Sequence, residues 1–297
     1  MAYQTKIALI ITTFLWASAF VGIRMGLHDY SPEGLALLRY LVASFCMGIV
    51  YFRLPYKTTM SVKHILALLM IGAIGIGFYN ISLNYGEITV TSGMASFIIS
   101  QSPIITTFLA VIFLGEKINH LRLWGFLVSF IGIACISLGE KKGFKWEHGV
   151  LYILLATIAG GCFSVLQKPF LKKYHIIEVT TYVIWGGTLF LAFYGSHLRH
   201  DLLTASYQST LTVLYLGIFP AALGYLSWSY VLSKIPASRA VSFLYFMPFV
   251  ATILGWMILN EVPMFMSLIG GLLAIAGVWL VNQSYLLPIT KIAEANA

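Results

Sequence analysis

The hydrophobic pattern of this chain is written twice, and the second copy must run through its surroundings in the opposite sense. Residues 72–138, moved 145 positions along without a gap, fall largely on their own kind. Gly72 meets Gly217, Ser82 meets Ser227, Tyr85 meets Tyr230 and Ala95 meets Ala240. Pro103 meets Pro248, Thr107 meets Thr252, Glu116 meets Glu261, Gly125 meets Gly270 and Gly132 meets Gly277. Each copy holds five long apolar runs. An odd number of crossings leaves the second copy starting on the face where the first one ended.

A membrane-spanning helix needs about 20 mostly apolar residues. On that criterion the spans are about 7–25, 34–52, 65–86, 91–114, 121–138, 149–168, 178–196, 211–232, 239–260 and 263–283. Lipid leaves helices or closed barrels as the ways to satisfy a backbone, and these runs are too long and continuous for barrel strands. The expected fold is an all-α integral membrane protein, with ten transmembrane helices in two inverted five-helix repeats. The repeats cover residues 1–140 and 147–285 and are joined by the polar stretch EKKGFKWEH. Residues 286–297 form a tail. Inverted repeats of this kind are the sequence sign of alternating access around a midplane site.

Composition agrees with lipid as the solvent. The 297 residues are 59% hydrophobic and 9% charged, whereas soluble domains carry about 25% charged residues. The formal charge of +8 does not point to nucleic acid, because the Lys and Arg residues sit in short loops and make no basic stripe. They set topology instead. With the N-terminus inside, twelve basic residues fall inside and five outside, and Arg39 lies within a span. Both termini are therefore expected in the cytoplasm, although Lys141, Lys142 and Lys145 count against this scheme. Lys6 and the Ala17-Ser18-Ala19 stretch imitate a signal peptide. The apolar run continues past them, so this segment is expected to be a retained span. Cys46, Cys135 and Cys162 lie in apolar segments and read as small hydrophobes.

Pro103 and Pro248 sit mid-span at equivalent positions. Proline lacks an N–H and clashes with the carbonyl four residues back, so the breaks should free the carbonyls of Ile99 and Leu244. In a membrane such breaks persist where protein or a water-filled cavity satisfies them. Ser96, Ser100, Pro103 and Thr107 share one helical face, as do Val241, Tyr245, Pro248 and Thr252. Asn80 and Asn84 are one turn apart, with Tyr225 and Ser229 as their repeat mates. An Asn facing lipid would leave its amide unpaired. Candidate substrate-binding residues are therefore Trp16, Asn80, Asn84, Ser100, Gln101, Ser164, Gln167, Tyr225, Trp228, Ser229 and Tyr245, with Pro103 and Pro248 lining the cavity. The stripes Gly125, Ser129, Gly132 and Gly270, Ala274, Gly277 read as close helix packing.

No Asp or Glu falls at mid-span depth, so a buried carboxylate for a strongly cationic substrate or for proton coupling is not evident. Arg39 is the exceptional charge. It could meet a substrate carboxylate or phosphate, pair with Glu33 or Glu87, or snorkel to the interface. Arg39, Glu116 and Glu261 are the candidates for a gate or an ion pair.

The segments LWASAFVGIRMGL and LALLRYLVAS, the prolines of spans four and nine, and the GE and NE at 115–116 and 260–261 resemble the drug/metabolite transporter superfamily. More narrowly, they resemble its EamA-domain family with two repeats. The resemblance implies both termini cytoplasmic and a cavity built mainly from spans one, three, four, six, eight and nine. It also implies export of amino acids, other metabolites or drugs. Glu116 and Glu261 match the acidic residue that closes spans four and nine in that family. The deep Glu in the first span of the small multidrug-resistance relatives is absent here.

The reading is thus a transporter of the cell inner membrane, an exporter of small metabolites such as neutral or zwitterionic amino acids. The expected partners are a small-molecule substrate and the bilayer, with a homodimer left open, no nucleic acid, no cofactor and no metal. Transport of cationic drugs held by aromatic faces or of organic anions is the near alternative. An intramembrane enzyme would need positioned nucleophiles or metal ligands that the sequence does not display. A receptor or scaffold would not need symmetric broken helices.

Overall fold

The computed structural model describes residues 1–90, 92–138, 148–259 and 265–283. Every regular element among them is helical. Eight are long and apolar enough to cross a membrane: α1 (Tyr3–Gly26), α2 (Pro32–Phe52), α3 (Val62–Thr89), α4 (Ala95–Leu114), α6 (His148–Lys173), α7 (Ile176–Thr204), α8 (Tyr207–Lys234) and α9 (Ala237–Ile258). Two further helices of 19 residues, α5 (His120–Leu138) and α10 (Phe265–Gln283), complete ten. The all-helical membrane fold expected from the repeat is the one observed. Phe45, Phe108 and Phe193 are 71%, 65% and 86% exposed, an outward display of apolar surface that is stable against hydrocarbon tails rather than water. The linker 139–147, Asn260, Glu261 and the tail fall outside the described residues.

Helix starts are fixed by short polar residues, and the two halves cap each other. Ser31 precedes α2 and its hydroxyl accepts from the Gly34 N–H at 3.1 Å, with Pro32 at the first helical position, where its missing N–H costs nothing. Asp201 of α7 accepts from the Ser31 N–H at 3.0 Å and the Ser31 hydroxyl at 2.6 Å. Reciprocally, Asp29 before α2 accepts from the Ser206 N–H at 3.1 Å at the start of α8, from the Ser206 hydroxyl, and from the Ser209 hydroxyl at 2.7 Å. The Ser206 hydroxyl, then that of Ser209, holds the Asp29 carboxyl well below the usual carboxylate range.

Glycines let helices touch backbone to backbone. A Cβ on Gly72 would lie 1.9 Å from the Val183 carbonyl oxygen, and one on Gly186 would lie 2.1 Å from that of Leu69, which presses α3 onto α7. A Cβ on Gly125 would come within 2.8 Å of the Gly277 carbonyl oxygen, and one on Gly277 within 2.5 Å of that of Gly125. Gly125, Ser129 and Gly277 of the small-residue stripes are therefore packing contacts between α5 and α10.

Four interruptions sit at related places in the two halves. π-helical turns occupy Ala73–Phe78 in α3 and Gly217–Gly224 in α8, and the 145-position shift carries the first onto 218–223, inside the second. The second contains Pro220, whose missing N–H a wider turn accommodates. α4 is broken between Ile99 and Ser102, and α9 tightens to a 3-10 turn at Phe243–Phe246. Pro103 and Pro248 lie just after these breaks, in the first turn of the resumed helices. At the first break two backbone carbonyls are met by side chains. The Thr157 hydroxyl of α6 donates to the Ile98 carbonyl at 3.2 Å, and Gln101 Nε2 donates to the Phe97 carbonyl at 3.0 Å.

Candidate functional site

The breaks surround a cavity of about 60 Å³ between the halves. Its walls pair repeat-equivalent residues: Asn80 with Tyr225, Ile99 with Leu244, and Ser102 with Met247. Trp16, Phe20 and Ile23 of α1 close one side, Gly160, Phe163 and Ser164 of α6 another, and Arg39 of α2 enters from a third. The lining thus comes from the six spans implied by the family resemblance, with α2 added through Arg39.

Each π turn has a polar side chain on a carbonyl it exposes. Asn80 Nδ2 donates to the Ile76 carbonyl at 2.8 Å in the first. In the second, Trp16 Nε1 donates to the Pro220 carbonyl at 3.1 Å. The same Asn80 Nδ2 donates to the Tyr40 hydroxyl at 2.8 Å, and Asn80 Oδ1 accepts from Arg39 Nη1 at 3.0 Å. Aromatic rings fill the rest: Trp16 lies 5.1 Å from Tyr225 and 5.3 Å from Trp228, and Phe163 lies 5.6 Å from Tyr225. Such a wall is apolar with a polar corner.

Of the residues singled out from the sequence, Trp16, Arg39, Asn80, Ser164 and Tyr225 line this cavity. The others lie elsewhere. Asn84 is buried and donates to the Pro32 carbonyl at 2.8 Å. Ser229 donates to Gln167 at 3.4 Å. Trp228 is packed behind Trp16, and Tyr245 is buried against Phe126 with ring centroids 6.2 Å apart. Ser100, Gln101, Pro103 and Pro248 shape the breaks without lining the cavity. Glu261 falls outside the described residues. Of the acids considered for Arg39, Glu33 accepts from the Tyr85 hydroxyl, and Glu87 is buried near the end of α3. Among the described residues no three metal-ligating side chains converge.

Sequence reasoning passed over Ser102, Met247, Gly160 and Phe163. A signal existed for the first two, because each immediately precedes one of the paired prolines. Gly160 and Phe163 carry no pattern distinguishable from packing.

At the Tyr3 end of the bundle the halves are locked by charge. Glu116 of the first half accepts from the Ala237 N–H at 2.7 Å and the Ser238 N–H at 3.1 Å, and also from the Ser238 hydroxyl. A carboxylate on a helix N-terminus is favoured by the exposed N–H groups and the dipole. Gly115 makes this aim feasible, since its φ of 64° lies in the left-handed region that glycine adopts without strain. Nearby Lys168 Nζ donates to the Leu232 carbonyl at 3.0 Å and to that of Ile235. At the opposite end Arg24 Nη1 donates to the Val90 carbonyl at 3.1 Å, and Val90 is the repeat mate of Ile235. Each half thus places a cation from its first helix on the C-terminus of its third. Glu116→Ala should lower stability by about 1–2 kcal/mol, the usual cost of losing an N-cap, and Gly115→Ala by about 1 kcal/mol through backbone strain alone. Unfolding of the detergent-solubilised variants measures both; an unchanged midpoint for Glu116→Ala would remove the lock.

A ten-helix bundle with broken helices around a central cavity defines a multi-pass membrane transporter. Comparison with known proteins agrees. The profile of the EamA-like transporter family matches residues 5–138 and again 147–283, and the chain belongs to that family. It is 36% identical over 264 residues to "Uncharacterized transporter YdfC" of Bacillus subtilis (strain 168), covering 89% of this chain and 86% of that one. It is 34% identical over 276 residues to the "Probable terminal-alkyne amino-acid exporter" of Streptantibioticus cattleyicolor, covering 93% and 92%. The "Probable amino-acid metabolite efflux pump" of Salmonella typhimurium is 25% identical over 293 residues, covering 91% and 92%. A solved structure titled "Crystal structure of protein" superposes with a TM-score of 0.72 at 18% identity, covering 94% of this chain and 96% of that one. That likeness concerns the fold.

Proposed function

We propose that this protein exports small amino-acid-type metabolites across the cell inner membrane by alternating access around the cavity between its halves. The observation that carries this is the pairing of repeat-equivalent residues, Asn80 with Tyr225, Ile99 with Leu244 and Ser102 with Met247, around one cavity beside broken helices. The names of the two relatives that concern amino acids support the substrate class. Binding sites for small molecules run to about 300–1,000 Å³, so a cavity of about 60 Å³ must widen to take a solute. Rocking of the halves would supply that volume and would break the Glu116 contacts to Ala237 and Ser238. The buried, unpartnered hydroxyls of Ser100 and Tyr245 are repeat mates at the breaks and become available as the halves part.

Cells fed dipeptides and overproducing the protein should release the liberated amino acids several-fold faster than cells carrying the empty vector. Equal release would contradict the proposal. Orientation has its own test. On a background lacking Cys46, Cys135 and Cys162, a cysteine at Tyr56, which is 89% exposed in the α2–α3 loop, should be labelled from the cytoplasmic side. A cysteine at Lys142 should be labelled from outside. The reverse pattern would invert the topology and the direction of export with it.

A further inference from the structure

We infer that Arg39 is an anion anchor, the residue that receives the carboxylate of the transported solute, and that the carried class is a zwitterion whose carboxylate is required. This rests on the export reading above and specifies its substrate. Arg39 is 3% exposed and lines the cavity. A guanidinium is a planar fork of N–H donors that stays charged at any physiological pH. Here one of its nitrogens, Nη1, donates to a neutral acceptor, Asn80 Oδ1, and Nε has no hydrogen-bond partner. Among the described residues it forms no salt bridge.

A buried charge without a counter-charge is costly, and folded proteins avoid it unless the charge is used. Asn80 does not neutralise Arg39; it orients it. The asparagine is itself held by the Tyr40 hydroxyl and the Ile76 carbonyl, so its Oδ1 is fixed and so is the Nη1 edge bonded to it. The positive charge, which lies 5.4 Å from the centre of the Tyr40 ring, is thereby kept at the polar corner of a largely apolar cavity. A carboxylate suits that corner, because Arg pairs with carboxylates through parallel charge-assisted bonds. The ammonium of a zwitterion suits the aromatic residues that share this lining, Trp16, Tyr225 and Phe163, because such rings attract a cation without a carboxylate. This division explains how a cavity with no acidic lining residue could hold an amino acid at both ends. A cationic amine lacking the carboxylate would instead meet Arg39 as a like charge.

The test uses purified protein in liposomes and three pairs of probes: L-leucine, L-phenylalanine and L-threonine, each against its own carboxamide. The amide keeps the side chain and the amino group and removes the negative charge. Counterflow of at least one acid should exceed that of its amide by tenfold or more. The same acid should raise the unfolding temperature where the amide does not, as a ligand of the folded state must. Arg39→Lys should reduce the acid–amide discrimination, and Arg39→Gln should abolish it. If Arg39→Gln fails to fold, the comparison in the unmodified protein still decides. Equal movement of acid and amide would overturn the anchor while leaving export standing. No movement of any of the six probes would overturn the amino-acid reading, and the anchor with it.

Discussion

Asn80→Asp is expected to abolish transport while leaving the protein folded. The substitution is nearly isosteric, and it puts a carboxylate where Asn80 Oδ1 now accepts from Arg39 Nη1 at 3.0 Å. The new pair is charge-assisted and stronger than the bond it replaces, a gain of about 1 kcal/mol. Against it stands the loss of the Nδ2 donor to the Ile76 carbonyl, of similar size; the Tyr40 hydroxyl, which now accepts from Nδ2 at 2.8 Å, can turn and donate to the new carboxylate. The two nearly cancel, so the unfolding midpoint should move little. Flux should fall by tenfold or more, because the guanidinium that would receive a solute anion is already neutralised. Asn80→Leu makes the opposite separation. It strands the buried guanidinium without its acceptor and should cost about 3 kcal/mol. A fully active Asn80→Asp would mean that the charge of Arg39 is not used on solute.

Gly72→Val should be the most damaging substitution to the fold itself. A Cβ at this position would stand 1.9 Å from the Val183 carbonyl oxygen and 2.7 Å from the carbonyl carbon. No rotamer relieves a clash between a Cβ and a backbone, so α3 must move off α7. Overpacking of a tight interface costs about 3 kcal/mol at the upper end of its ordinary range. A displaced α3 also carries the first π turn and Asn80 out of position. Reduced yield of folded protein, a lowered unfolding midpoint and lost transport should therefore appear together. Gly195→Ala is the matched control, since a Cβ there meets nothing within 4 Å and alanine is the better helix former. Equal behaviour of the two variants would show that α3 and α7 are not held at backbone distance.

The fold was legible in the sequence because the bilayer imposes length and hydropathy on every spanning helix and the repeat ties the two halves together. Pro103 and Pro248 announced the breaks in α4 and α9 by chemistry alone. The π turns did not announce themselves. One contains Pro220, but the other, AIGIGF at Ala73–Phe78, has no proline and reads as an ordinary apolar stretch. The site was partly legible. Asn80 and Tyr225 could be placed because they are repeat mates on a helix face that must avoid lipid. Asn84, one turn further, obeys the same logic yet bonds the Pro32 carbonyl, since helical periodicity fixes a face but not the depth of the neighbour that meets it. Arg39 was visible as a charge within a span. Its partner was not, because a neutral asparagine 41 residues away gives no sign of itself when an acid, Glu33, is nearer in sequence.

The most direct test of the central claim is counterflow through liposomes containing the purified protein, compared with a variant whose cavity is filled. Ser164 lines the cavity and projects from α6 beside Phe163, so Ser164→Trp would occupy more than the roughly 60 Å³ now open there. Leu151, 55% exposed on the same helix and facing lipid, serves as the control in Leu151→Trp. Amino-acid exchange by the unmodified protein and by Leu151→Trp, with exchange lost in a folded Ser164→Trp, is the result this account predicts. Undiminished exchange in Ser164→Trp would contradict it, because solute would then cross by a route other than the cavity between the halves.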